Sequence, residues 1–351
     1  MQRQESKRLT MAAQEFEVIT QYFRESGLDF PRSGIDLGNG DDGAILTVPS
    51  GQQLVLSTDL LQEGIHFPLQ AIPELIANRA LAVNLSDLAA MGADPLCFTL
   101  GLSLPHNDAA WLEAFSLGLL KLARQHECPL IGGDLIRGNL HLAIQICGLV
   151  PRDRALLRSG ARAGHLVYVS GTLGDAAAAL ALFRSTASSQ KVPETESVFV
   201  PKKLKERQRD HFINAFYKPV PRIELGILLR DLASAAIDIS DGLLADLQHI
   251  LDASGVGAEI DVDQIPLSAA MTSCVVEEKR LPLALSGGDD YELCFAVPPE
   301  NCIRLEELTQ SLGLPVKRIG EIVTGESLVC LDSYGESVAF SDKGFDHFMQ
   351  E

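Results

Sequence analysis

Acidic side chains recur along this chain in short turns between apolar runs. Gly38 to Gly43 reads Gly-Asn-Gly-Asp-Asp-Gly, with Asp41 and Asp42 adjacent. Asp59 stands in LSTDL, Asp87 in NLSDL and Asp134 in IGGDL. Asp238 and Asp241 stand in DISDG, and Asp289 and Asp290 in GGDD. Aspartates in such surroundings are seldom buried unless they are paired or bound to a metal. Hard divalent cations such as Mg²⁺ take oxygen ligands, typically a few carboxylates together with substrate phosphates. The first of these motifs also fits G-x-G-x-x-G, the pattern that cradles a dinucleotide pyrophosphate. Two carboxylates there would repel a phosphate. A metal removes the conflict, because the loop then binds cations and the cations bind phosphate. Asp and Ser also cap helices, and Asp-Gly makes turns. Each motif alone therefore reads as structural, and it is the set that points to function.

Other chemistries fit less well. There is no G-x-x-x-x-G-K-[ST] and no G-x-S-x-G, which removes a P-loop and an α/β-hydrolase nucleophile. The Gly-Asn-Gly-Asp-Asp-Gly loop follows no clear strand, and AILTV after it reads as a strand, not a helix. A Rossmann pyrophosphate site needs the helix dipole at that point. The eight histidines show no zinc spacing. His66 in EGIHF reads equally as a packed residue or a ligand contact. Arg158 in RSGARAG reads equally as a surface charge or a phosphate clamp.

The positions of these residues depend on the elements around them. With 351 residues, two domains are expected. QLVLSTDL, CFTLGLSLP, LHLAIQICGLV and HLVYVSG read as strands, the third with Leu140, Leu142, Ile144 and Ile146 at a period of two. PELIANRALAVNLSDLAAMGA and NDAAWLEAFSLGLLKLARQHE carry helical spacing, and a helix from Met11 would place Phe16, Ile19 and Phe23 on one face. Strands alternating with helices predict a mixed α/β (α+β) architecture. A boundary near Val150 divides a domain over 11–150 from one over 151–351, with residues 1–10 read as a disordered leader or an over-called start. In the second half GDAAAALALF and ISDGLLADLQHILDASG read as helices, the latter closed by Gly255. ALSGGDDYELCFAV reads as two strands joined by an acidic turn. The polar 185–210 segment reads as a surface loop or helical excursion.

Acidic residues number 47 against 29 Lys plus Arg, a net charge of −18, which argues against a nucleic-acid partner. Seven cysteines without C-x-x-C suit a reduced, cytoplasmic chain. Neither a signal peptide nor a membrane span is apparent.

GNGDDGAIL, STDLLQEGIHF, NLSDLAAMGADP, IGGDL, RSGARAGHLVYVSGTLGDAAAAL, DISDGLLADL, SGGDDYELCF and GFDHF occur in that order. Together they resemble the thiamine-monophosphate kinases of the aminoimidazole ribonucleotide synthetase superfamily, from about Met11 to Phe348. The resemblance implies a two-domain PurM-like fold and a homodimer built through strands of the N-terminal domain. It implies transfer of the γ-phosphoryl group of ATP onto thiamine monophosphate, with several Mg²⁺ ions, giving thiamine diphosphate and ADP. It makes Asp42, Asp59, Asp87, Asp134, Asp238 and Asp241 metal ligands, supported by Asp41, Ser57 and Thr58. Gly133, Asp134, Arg158 and Ser240 would contact the nucleotide, and His66, Asp289 and Phe345 thiamine monophosphate. The family usually has Glu at Asp289, often a larger aromatic at Phe345, and an apolar residue at Asn39, where the change is expected to be tolerated.

The physics of the implied reaction suits these residues. Phosphoryl transfer between two anions depends on positioning and charge neutralisation. The acceptor phosphate has a second pKa of about 6 and is already ionised near neutral pH, so no general base is required. Two alternatives stay open: another ATP-using enzyme of the superfamily, or a silent nucleotide- or metal-binding relative. Selenide chemistry would want a cysteine earlier than Cys97, and a carbamoyl-dehydrating relative a C-terminal cysteine where this chain ends HFMQE.

Overall fold

The computed structural model describes residues 15–187, 197–200 and 204–340. Its strands are β1 (Ile35–Leu37), β2 (Ile45–Leu46), β3 (Gln52–Gln62), β4 (Asp94–Leu104), β5 (Leu130–Arg137) and β6 (His141–Pro151), then β7 (Leu166–Ser170), β8 (Ala235–Asp238), β9 (Gly257–Asp261), β10 (Leu293–Val297), β11 (Val316–Val323) and β12 (Leu328–Leu331). Helices alternate with them, so the mixed architecture holds. By internal contacts the chain divides into two units. The first takes in Met1–Thr47, Thr58–Leu81 and Leu96–Gln145; the second takes in Val48–Ser57, Ala82–Pro95 and Ile146–Glu351.

β3, β6, β4 and β5 form a four-stranded sheet in that order, with β4 and β5 parallel. Along β6, Leu142, Ile144 and Ile146 are buried while Gln145 is exposed, the one-sided burial that a period of two requires. Helix Ala109–Gln125 buries Leu112, Phe115, Leu119 and Leu122, a stripe at helical spacing. Its first turn is capped by Asp108, which accepts from the N–H groups of Ala110 and Trp111. Helix Pro73–Ala90 is different. Ile76, Ala80, Leu81, Leu85 and Leu88 are fully buried, and so are Asn84 and Ser86. A helix buried all round is a core element, and Asp87 sits on it.

The second unit holds a six-stranded sheet in the order β12-β9-β11-β7-β10-β8. Its pairs are antiparallel except β12 with β9. Helix Leu243–Ser254 joins the core of that sheet through Leu243, Leu247, Ile250 and Leu251. It ends at Gly255, whose φ of 66° supplies the left-handed cap and whose N–H bonds Leu251 O.

Several expectations need correction. Among the described residues the N-terminal helix is α-helical over Glu15–Val18 and continues as a π-helix over Ile19–Arg24, while residues 11–14 lie outside them. A short strand, β1, does precede the Gly-Asn-Gly-Asp-Asp-Gly loop, and it pairs antiparallel with β2. The loop is thus the tip of a hairpin, with no helix after it. In ISDGLLADLQHILDASG the helix begins only at Leu243, and Ile239–Gly242 is a loop. ALSGGDDYELCFAV is a helix end (Glu277–Ser286) followed by β10, not two strands. Leu281, Ala284 and Leu285 pack on one face, so a helical period overrides the short apolar run. Residues 1–10, 188–196, 201–203 and Phe345 lie outside the described residues, and helix Glu206–Tyr217 takes up the end of the polar excursion.

Candidate active site

In the first unit a cavity of about 550 Å³ opens beside the hairpin tip. Asp41 and Asp42 line it from the β1–β2 loop, and Gly133 and Asp134 from β5. Ile19, Phe23, Leu102 and Ile131 give it apolar walls, and Thr20, Arg24, Asn39 and Thr99 add polar groups. Two motifs some ninety residues apart in sequence therefore meet on one hollow. An apolar hollow with a few polar groups at its edge, of this volume, is the usual form of a small-molecule site. Local bonds set the carboxylates. Asp41 Oδ1 accepts the Asp42 N–H at 2.9 Å, and Asp134 Oδ1 accepts the Leu135 N–H at 2.9 Å. Asn39 Nδ2 donates to Leu130 O at 2.9 Å and so ties the hairpin tip to the start of β5. The polar residue at this position has a structural use.

Thr58, Asp59 and His66 belong to the same unit but do not line that cavity. Thr58 and Asp59 follow Ser57 on β3, Thr58 exposed and Asp59 half-buried. His66 Nδ1 accepts the Gln62 N–H at 3.0 Å, and Arg79 Nε donates to His66 O at 3.2 Å. An acceptor Nδ1 leaves the imidazole proton on Nε2 when the ring is neutral.

The second unit assembles the later motifs. Ser57 Oγ donates to Asp87 Oδ2 at 2.5 Å, and Ser86 Oγ donates to Asp238 Oδ2 at 2.8 Å. The adjacent residues Ser86 and Asp87 thus join the edge of β3 to the end of β8. Burial raises the Asp87 pKa, while the Ser57 bond and Arg158 act in the opposite direction. Arg158 is exposed and its charge reaches Asp87. Directly after Asp238, the loop carrying Ser240 and Asp241 is wrapped around Asp246. Asp246 Oδ2 accepts from the N–H groups of Ser240, Asp241 and Gly242 at 2.9, 3.0 and 3.1 Å. Burial and then the neighbouring Asp241 charge push the Asp246 pKa up to about 7, against these bonds.

The GGDD turn packs on that loop. Asp289 N–H bonds Ser240 O and Tyr291 N–H bonds Ile239 O, each at 2.8 Å. Asp289 and Tyr291 both take left-handed backbone, with φ of 64° and 51°, an uncommon conformation for residues with side chains. Asp290 between them accepts the Gly174 N–H through Oδ1 at 2.8 Å, while its Oδ2 is buried without a hydrogen-bond partner. Burial raises the Asp290 pKa well above the ordinary carboxylate value, with Asp175, Glu292 and Asp289 adding to it.

The donor set can be tested against Mg²⁺. Among the described residues no three His, Cys, Asp or Glu side chains gather closely enough to form a metal cage. Mg²⁺ does not need one, since it keeps several waters and takes one or two carboxylates plus substrate phosphates. Every candidate ligand here is oxygen: carboxylate or Ser/Thr hydroxyl. Asp87, whose charged form is disfavoured by burial, gains from a cation beside it. The residues fit the ion.

Ser86 and Asp246 were not singled out from sequence, and Asn39 and Asp290 were named there without these roles. Asp246 did leave a signal: the helix behind Asp241 begins after Gly242, which has no side chain to cap it, and Asp246 lies one turn inside.

Residues 40–150 match the family described as AIR synthase related protein, N-terminal domain, and residues 162–332 its C-terminal domain. The chain is similar to a thiamine-monophosphate kinase of Escherichia coli O157:H7, 46% identical across 96% of this chain and 99% of the relative. It is similar in structure to a thiamine-monophosphate kinase from Stenotrophomonas maltophilia K279a, with a TM-score of 0.80 and 41% identity over 92% of this chain and 97% of the other. It is also similar to AaThiL complexed with AMPPCP and TMP, at a TM-score of 0.71 and 30% identity over 86% and 89% of the two chains. With nearly half its residues shared over almost its full length, this chain belongs to the thiamine-monophosphate kinase family.

Proposed function

We propose that this chain carries out its phosphoryl transfer by direct, Mg²⁺-assisted attack of one substrate phosphate on another. The overall reaction is ATP-dependent phosphorylation of thiamine monophosphate to thiamine diphosphate. The observation that carries the metal reading is the meeting of the Asp41, Asp42 and Asp134 carboxylates on one cavity. Bound Mg²⁺ would neutralise the phosphates and align them. Asp41, Asp42, Thr58, Asp59 and Asp134 are the metal group of the first unit. Ser57, Asp87, Asp238 and Asp241 are that of the second. Gly133, Asp134, Arg158 and Ser240 are assigned to the nucleotide, and His66 and Asp289 to thiamine monophosphate. The Asp289 carboxylate suits the cationic thiazolium or the aminopyrimidine. Phe345, assigned to the same substrate, lies outside the described residues.

A homodimer is part of the proposal. Ile45, Leu56, Leu60 and Ile136 are 55–58% exposed on β2, β3 and β5. Large apolar side chains left exposed along strands suit a partner surface. All seven cysteines are free thiols, which suits a reducing cytoplasm, and no helix among the described residues is long and apolar enough to cross a membrane. The two matched segments, 40–150 and 162–332, accord with a domain boundary near Val150.

The test is chromatographic. Purified protein with ATP and Mg²⁺ should convert thiamine monophosphate to thiamine diphosphate and ADP, and should leave free thiamine unreacted. No product over a range of Mg²⁺ and K⁺ concentrations would refute the kinase reading. Undiminished product with chelator in place of Mg²⁺ would refute the metal-assisted step.

A further inference from the structure

We infer that Asp246 is a positioning residue for the transfer. From one turn inside helix Leu243–Ser254 its carboxylate reaches back and holds the Ser240–Gly242 loop in the one conformation that presents Ser240 and Asp241. The inference deepens the proposed function and rests on its assignment of those two residues.

The first N–H groups of a helix have no partner within it and are usually met by a side chain at the cap. Here the cap is Gly242, at φ 121° and ψ 147°, and it makes no side-chain bond. Asp246, one turn inside the helix, reaches back past the cap instead, as the acidic residue of a capping box does: the consecutive N–H groups of Ser240, Asp241 and Gly242 point at its Oδ2 within 3.1 Å. Asp246 is 3% exposed, so these bonds lie away from water. Converging backbone N–H groups form the concavity that elsewhere binds phosphate. In this chain a side chain fills it. The loop therefore cannot offer its amides to a nucleotide, and contributes the side chains of Ser240 and Asp241 instead.

The loop is held from its other side as well. Its carbonyls at Ile239 and Ser240 accept from Tyr291 and Asp289. Gly288 leaves no slack there, since a Cβ on it would stand 2.5 Å from Ser240 O. With donors held by Asp246 and acceptors held by the GGDD turn, the backbone that carries the Asp241 carboxylate is set before any ion arrives. A rigid outer shell of this kind typically changes metal affinity or activity by 10- to 100-fold when removed.

The experiment pairs Asp246→Asn with wild-type protein. In metal-free wild type, the amides of Ser240, Asp241 and Gly242 should exchange slowly with deuterium. In Asp246→Asn they should exchange faster, while amides in the interior of the helix stay protected. Mn²⁺ binding, followed by electron paramagnetic resonance with a non-hydrolysable ATP analogue, should weaken by about 10- to 100-fold. kcat should fall comparably, with KM for thiamine monophosphate within about twofold of wild type. Fast exchange at the three amides in wild type overturns the inference by itself, even if the variant fails to fold. A folded variant with wild-type Mn²⁺ affinity also overturns it. Absence of thiamine diphosphate from the wild type would instead refute the kinase reading and leave the exchange comparison standing.

Discussion

Replacing Gly133 with alanine should injure both the first unit and its use of ATP. Gly133 lies on β5 opposite Leu100 of the parallel strand β4. Its φ of 156° is one that side chains rarely adopt. A Cβ there would stand 2.0 Å from Leu100 O, about 1.4 Å inside the 3.4 Å at which ordinary contact begins. The obstacle is the backbone of a paired strand, so no side chain can swing aside, and the two strands must part or tilt. Overpacking of this kind costs about 1–3 kcal/mol, and the strained backbone about 1–3 kcal/mol more. The sum, about 2–6 kcal/mol, corresponds to a fall in Tm of roughly 5–20 °C at 2–4 °C per kcal/mol. Asp134 follows directly, so its carboxylate moves with the strand. A displacement near 1 Å in a phosphoryl-transfer site can cost about 100-fold, here expected as a raised KM for ATP and a lower kcat. Calorimetry of the metal-free protein and steady-state kinetics in ATP test both halves. A Gly133→Ala protein with wild-type Tm and an unchanged KM for ATP would refute the argument from steric fit.

Two further expectations come from buried and half-buried charge. Asp87→Asn should lower kcat by about 10²–10³, the usual effect of removing one charge-stabilising group. It should leave the Tm of the metal-free protein equal or higher at pH 7.5, because burial raises the Asp87 pKa and makes its charge a cost. A drop in metal-free Tm would assign Asp87 to the scaffold instead. His211 Nε2 meets Asp175 Oδ2 at 3.0 Å, and that bond holds the imidazole pKa above its ordinary 6.5 despite some burial. A raised histidine pKa stabilises the native state fully below the unfolded value, and the benefit disappears as pH rises through the folded value. The Tm difference between wild type and His211→Ala should therefore be largest near pH 6 and shrink by pH 8. A difference independent of pH would show that the pair contributes only through packing.

Much of this was legible because it is local. Periodicity placed β3, β4, β6 and β7, and the cap at Gly255 was visible from a glycine after a helical run. Errors arose where a short apolar stretch fits two periods, as at Ala284–Ser286, or where a motif lies just outside its helix, as at Ile239–Gly242. The role of Asn39 was invisible because its partner, Leu130 O, is far along the chain. Asp290 looked like one more residue of an acidic turn until Gly174 N–H was found against it.

From sequence alone came the ordered acidic motifs and, through their resemblance to a known family, the expectation of a phosphoryl transfer; oxygen-rich side chains point toward hard cations because ligand preference belongs to residue type. Tertiary structure alone decided which carboxylates face a cavity and which, like Asp246, turn inward to hold the others. That choice depends on packing between segments remote in the chain, where burial and hydrogen-bond partners are set together.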